Sequence, residues 1–174
     1  MILEENEISP TKLNRLIGSP KKISLKKLTP IGSASLILKK FENKTSESSS
    51  IKIDSRCNIA AFEKGILVYL NYSNKLKAIP IHEKELLKIN LIRGKEIIKP
   101  IRFSPMWILL KLGIPMTYAR YFRIYRLHEY QINHLKLEIE TTQYKLNMIA
   151  NGYTYERQES FFKSLNLKNK LTFK

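Results

Sequence analysis

The sequence predicts a mainly β domain that ends on an α-helix, and three observations carry that prediction. Leu135, Leu137 and Ile139 alternate with Lys136, Glu138 and Glu140; after a turn at Thr141, Thr142 and Gln143, Tyr144, Leu146 and Met148 alternate with Lys145 and Asn147. A period of two puts one face of a strand in a core and the other in water. Residues 59–62 and 66–72 flank Glu63-Lys64-Gly65 and read as a hairpin. Beyond Asn151-Gly152, Phe161, Phe162 and Leu165 recur at helical spacing. Thr154 stands where a cap is wanted and Glu156 where the helix dipole favours negative charge.

The other elements follow in chain order. Residues 8–18 predict a short helix, capped by Ser9, started by Pro10 and ended by Gly18, with Leu13, Leu16 and Ile17 as its apolar stripe against the domain. Between Pro20 and Pro30, Ile23 and Leu25 alternate with Lys22, Ser24 and Lys26, which predicts a basic edge strand. Residues 35–41 predict a strand with Leu36 and Leu38 on one face. Residues 43–50 are a polar loop, and Ile51 and Ile53 begin the return. Ser73-Asn74 is a second turn, into a strand over 76–81 in which Pro80 marks an edge or a bend. Over 86–93, Leu87, Ile89 and Leu91 face one way, Lys88 and Asn90 the other. Gly94 supplies a tight turn into a short strand at 96–99. The basic tail beyond Leu165 is expected to fray. The expected organisation is an extension over 1–32, one domain over 33–166 interrupted by an insertion at 101–126, and a basic tail over 167–174.

At this point the middle and end of the chain resemble the pleckstrin-homology-like (PH-like) proteins of bacteria. The residues that carry the resemblance are E-K-G-I-L-V-Y-L near Gly65, A-I-P-I-H-E-K-E-L-L-K-I-N-L near Pro80, the hairpin around Thr141 and Thr142, and the final helix through Phe161 and Phe162. The resemblance implies a bent antiparallel sheet forming an open barrel, capped by the C-terminal helix, and a binding module for lipids, peptides or proteins without chemistry. It does not fix a ligand. The insertion departs from the pattern.

That insertion holds the most informative local sequence, I-R-F-S-P-M-W-I-L-L-K-L-G-I-P. Ser104, Pro105, Gly113 and Pro115 frame a short helix, and Met106, Trp107, Leu109 and Leu110 leave it almost no polar face. Such a helix must bury its surface: against the open side of the barrel, in a partner protein, or in a membrane interface, where Trp and the flanking Arg102 and Lys111 are at home. Next, Arg120, Arg123 and Arg126 interleave with Tyr118, Tyr121, Phe122 and Tyr125. Arginine forks suit phosphate and aromatics stack on bases. As a helix the arginines share a drifting stripe; as a strand Arg123 faces away from the other two, and an ordinary exposed strand explains the pattern.

The formal net charge of +16 over 174 residues favours polyanionic partners: nucleic acid, an anionic membrane face or an acidic protein. A whole-proteome bias towards Lys and Ile would produce part of it. Cys57 is the only cysteine, so no internal disulfide is expected and a buried structural thiol is the reading. The acidic first ten residues lack the apolar core of a signal peptide, and no apolar run approaches the roughly 20 residues that span a bilayer. The chain has no phosphate-binding, dinucleotide-binding or nucleophile-elbow glycine motif. His82, His128 and His134 lack metal-ligand spacing, even with Glu129 nearby. The expectation is a non-enzymatic binding or adaptor module without cofactor, metal or catalytic residue. It would be cytoplasmic, or peripheral at an anionic membrane inner face, or part of a membrane-associated protein complex. A basic protein associated with nucleic acid or a ribonucleoprotein is the alternative. Candidate anion-binding residues are Arg102, Lys111, Arg120, Arg123 and Arg126; candidate hydrophobic-interface residues are Met106, Trp107, Leu109 and Leu110.

Overall fold

The computed structural model describes residues 1–21, 32–44, 51–165 and 167–174. It divides into two compact units, one made of Met1–Arg93 with Leu135–Lys174, the other of Gly94–His134. In chain order the elements are β1 (Leu3–Glu4), α1 (Pro10–Ile17), β2 (Leu36–Asn43), β3 (Arg56–Phe62), β4 (Gly65–Tyr72), β5 (Lys75–His82), β6 (Leu86–Ile92), β7 (Glu96–Ile98), α2 (Pro105–Lys111), α3 (Met116–Ala119), β8 (Tyr130–Ile132), β9 (Leu135–Thr141), β10 (Tyr144–Ala150), α4 (Tyr155–Lys163) and β11 (Leu171–Phe173). The fold is mainly β with a C-terminal helix and one large sheet, which does not close into a barrel. The basic strand expected between Pro20 and Pro30, and the loop over 45–50, lie outside the described residues.

In the first unit nine strands form one sheet in the order β1-β5-β4-β3-β2-β10-β9-β6-β11. Two antiparallel meanders, β2-β3-β4-β5 and β6-β9-β10, join where β2 pairs with β10. β2 bonds to β3 only through Leu36 and Ile37, and to β10 from Ile37 to Asn43, with a register break at Asn147/Met148. The alternation read from the sequence governs the burial. Leu36 and Leu38 from β2, Leu135, Leu137 and Ile139 from β9, and Leu146 and Met148 from β10 all enter one core. There they meet Ile59, Val68 and Ile79 from the other meander, and Phe161, Phe162 and Leu165 from α4. A second core on the opposite face of β4 and β5 gathers Leu3, Leu13, Ile17, Phe62, Leu67 and Ala78. So α1 docks as its stripe predicts, with Ser9 Oγ accepting from the Lys12 amide at 3.2 Å.

Several expectations are corrected. Ile51 and Ile53 do not start a strand: Ile53 is exposed, and β3 begins only at Arg56 because Asp54 turns the chain at φ 63° and donates its amide to Leu38 O. In β6 it is Leu86, not Leu87, that enters the core; Leu87 is half exposed. A bulge sets Leu86 opposite Thr141 and Lys88 opposite Glu140, and the extra residue turns Leu87 outward. Thr154 does not cap α4. Its hydroxyl donates to Asn151 O at 2.7 Å, while Asn151 Oδ1 caps the preceding short 3-10 turn through the Tyr153 amide. The tail does not fray. Leu171–Phe173 adds to β6 as the sheet's parallel strand, because β6 offers unpaired backbone groups and Leu171 and Phe173 pack against the main core. β1 was not foreseen; it pairs with β5 at Lys77 and Ala78. Pro80 lies in β5 beyond that pairing, on an outer edge where its missing N–H is tolerated.

Candidate functional site

The second unit, Gly94–His134, is held by a two-stranded ribbon in which Glu96, Ile97 and Ile98 of β7 pair with Ile132, Gln131 and Tyr130 of β8. Gly94 is required here by proximity, since a Cβ would lie 1.8 Å from Asn133 O. The turn role expected of it is therefore a close approach of two backbones. Between the strands run α2, α3 and two 3-10 turns, Arg120–Phe122 and Tyr125–Leu127. The core of the unit is small: Met106, Ala119 and Tyr130 are buried, with Leu109, Leu110, Met116 and Ile132 packed around them.

One carboxylate organises this unit. Glu129 is fully buried and accepts from the amides of Ile101 at 3.1 Å and Ile124 at 2.7 Å. Burial pushes the carboxyl up, but hydrogen bonds from the Ser104 hydroxyl and from the Ile124 and Ile101 amides outweigh it, so its pKa lies below the ordinary 4.5. Ser104 serves twice, since its Oγ also accepts the Trp107 amide at 3.1 Å as the cap of α2. The Glu129 carbonyl takes the Lys99 amide at 2.8 Å. Glu96 and Glu129 are the only acids in this unit, against seven Lys and Arg residues.

Four of the five predicted cations fall into two cation–aromatic stacks. In the first, Arg102 lies 5.0 Å from the Phe103 ring, Phe103 is 5.5 Å from Trp107, and Lys111 is 5.7 Å from Trp107. Phe103 has φ 67°, a left-handed conformation that costs a bulky residue on the order of 1–3 kcal/mol, and 71% of it is exposed. Arg102 and Lys111 are exposed and have no carboxylate partner among the described residues. In the second stack, Arg120 and Arg123 lie 5.9 and 5.6 Å from the Tyr130 ring, and Arg123 lies 4.3 Å from Tyr125. These guanidiniums are engaged internally. Arg120 donates to Tyr130 OH at 3.3 Å, and Arg123 donates to Arg120 O at 2.9 Å and to Tyr125 OH at 2.7 Å. Arg126 is exposed and apart from both stacks.

Neither the helical stripe nor the exposed strand expected for 120–126 is present; the segment turns twice as 3-10 helix. Of the candidate hydrophobic-interface residues, Met106 is buried in the unit's own core, and Trp107, Leu109 and Leu110 are half-buried. The outward apolar surface is instead carried by Phe103, Ile108, Leu112, Tyr118, Tyr121, Phe122 and Tyr125, with Leu112 72% and Tyr125 73% exposed. Sequence reasoning passed over Glu129 as an improbable metal ligand. Its signal was that of a lone acid inside a basic, aromatic stretch.

Elsewhere, Cys57 is buried and its thiol is pushed up to about 12 by loss of solvent. Among the described residues no group of three His, Cys, Asp or Glu is placed to hold a metal ion, and no helix is long and apolar enough to cross a membrane. The chain matches no protein family, no curated protein and no solved structure.

Proposed function

We propose that this protein is a non-enzymatic binding module with a PH-like architecture that acts at an anionic membrane face, in the cytoplasm. The carrying observation is the stack Arg102–Phe103–Trp107–Lys111 on a unit that also exposes Leu112, Tyr121, Phe122 and Tyr125. Monomeric proteins seldom expose so much large apolar surface without a use for it. Aromatics with a cation at their edge suit the headgroup level of a bilayer, and each basic residue near an anionic surface adds about 1 kcal/mol of attraction. The architectural half of the proposal is supported by the two meanders joined through their first and last strands. It is also supported by a single core to which both meanders and the C-terminal helix contribute. The nucleic-acid reading is the weaker one because Arg120 and Arg123 are bound to Tyr130, Tyr125 and the backbone.

The test is co-sedimentation with phosphatidylcholine vesicles with and without phosphatidylglycerol. Binding is expected for the anionic vesicles only, to fall with salt, and to drop at least tenfold for Arg102→Glu/Lys111→Glu and for Leu112→Ser/Tyr121→Ser. Absence of binding at low salt removes the membrane, and tight salt-sensitive binding to RNA instead moves the function to the nucleic-acid class.

A further inference from the structure

A second site lies wholly on the first unit, where the β4–β5 hairpin meets the segment entering β3. There a cavity of about 400 Å³ is lined by Ile51, Leu70 and Tyr72, by buried Ser55, and by Lys52, Lys75 and Lys77. Its size falls in the roughly 300–1,000 Å³ range of small-molecule sites. The floor is apolar: Leu70 belongs to the main core and Ile51 packs against it. Ser55 adds no free polar group, because its hydroxyl donates to Lys52 O at 2.6 Å.

Among the described residues the charged side chains that line the cavity are all lysines. Lys77 is paired with Glu4 at 2.7 Å, and no acidic side chain among the described residues lines the cavity. Lys52 lies 4.9 Å from the Tyr72 ring, on the cavity wall, and Lys75 stands opposite Tyr72 as the closing pair of the hairpin. Lys52 and Lys75 have no carboxylate partner among the described residues. The hairpin tip is a tight two-residue turn, with Ser73 at φ 49° and Asn74 at φ 63°, the positive values that the favoured β-hairpin turn requires, and it sets Tyr72 directly opposite Lys75.

We infer that this cavity binds an anionic amphiphile, an apolar chain against Leu70, Ile51 and Tyr72 and its carboxylate or phosphate head between Lys52 and Lys75. The inference goes beyond the membrane reading, since it uses no residue of Gly94–His134. A free fatty acid and a membrane lipid share this chemistry.

Isothermal titration calorimetry of the full chain separates the sources, using dodecanoate and dihexanoyl-phosphatidylglycerol, each below its micelle concentration, with dodecyltrimethylammonium as charge control. One-to-one saturable binding of dodecanoate identifies a free acid, and of the phospholipid a membrane source. Binding is expected to weaken at least tenfold in Lys52→Glu/Lys75→Glu and about threefold in each of Lys52→Gln and Lys75→Gln. It is expected to be unchanged in Arg102→Glu/Lys111→Glu. Both lysines are exposed, so thermal melting should be unaltered in all of these variants. The inference is overturned if neither anion binds saturably, if the cationic surfactant binds as well, or if the lysine variants bind like the parent.

Discussion

The Glu129 carboxylate holds the Ile124 amide at 2.7 Å and, with its other oxygen, the Ile101 amide at 3.1 Å. Two segments 23 residues apart in sequence are thereby tied to one buried anion. The exposed Phe103 and Arg102 hang from the first of these segments, and Tyr125 and Arg126 from the second.

Glu129→Gln keeps the shape and removes the charge. A glutamine nitrogen must then face an amide N–H, donor against donor. Hydrogen bonds to a charged group contribute on the order of 2 kcal/mol, so amide exchange at Ile101 and Ile124 should accelerate roughly thirtyfold, with Ile139 in the first unit unaffected. Equal protection in the variant would show that the carboxylate is not the clamp.

The pH dependence follows from the same group. Its folded-state pKa lies below 4.5, so folding favours the carboxylate. The stabilisation is complete above about pH 4.5 and is lost as the pH falls through the depressed folded value. Protection of the Ile124 amide, measured by NMR, should decline in that acid window in the parent and be flat with pH in Glu129→Gln.

The arginines should separate into scaffold and surface. Arg120→Ala removes a bond to Tyr130 and a cation from its ring and should destabilise the Gly94–His134 unit by about 1 kcal/mol. Arg126→Ala should leave stability within about 0.5 kcal/mol while weakening binding to anionic vesicles. Exchange protection and vesicle affinity, measured on both variants, check the division; identical behaviour in the two assays would contradict it.

Thr172→Pro tests the tail. Proline removes an N–H and fixes φ in the strand that pairs Thr172 with Asn90. The bond from the Arg93 amide to Lys174 O should open, giving faster exchange at Arg93, and the bared β6 edge should promote association at high concentration. Light scattering and exchange together read this out.

Cys57 should ignore thiol reagents in the folded protein. With the thiol pushed up to about 12 and fully buried, almost no thiolate exists at pH 8. Labelling by a disulfide reagent should therefore proceed only at the rate of unfolding, and at once in denaturant. Rapid labelling under native conditions would place the residue at the surface.

Local pattern was enough for much of the fold. The alternation at Leu135, Leu137 and Ile139, the Ser9 and Ser104 caps, the turn at Glu63-Lys64 and the stripe of Phe161 and Phe162 depend on neighbours within a few residues, and each element stands where it was expected. Misreadings came where a partner strand decided. The bulge at Leu86 exists because β9 sets the register, and Leu171–Phe173 is a strand because β6 has a free edge.

What the sequence determined alone was therefore its mainly β character, the turn at Glu63-Lys64 and the Ser9 and Ser104 caps, and a basic chain with an apolar, aromatic insertion. Tertiary structure decided which of those residues face water. Met106 faces inward and Phe103 outward, and Arg120 and Arg123 rest on Tyr130 while Arg102 and Lys111 are exposed. It also decided that Lys52, Tyr72 and Lys75 share a cavity. Periodicity fixes which side of an element a residue occupies, but burial depends on what the rest of the chain places against that side, and no local spacing encodes it.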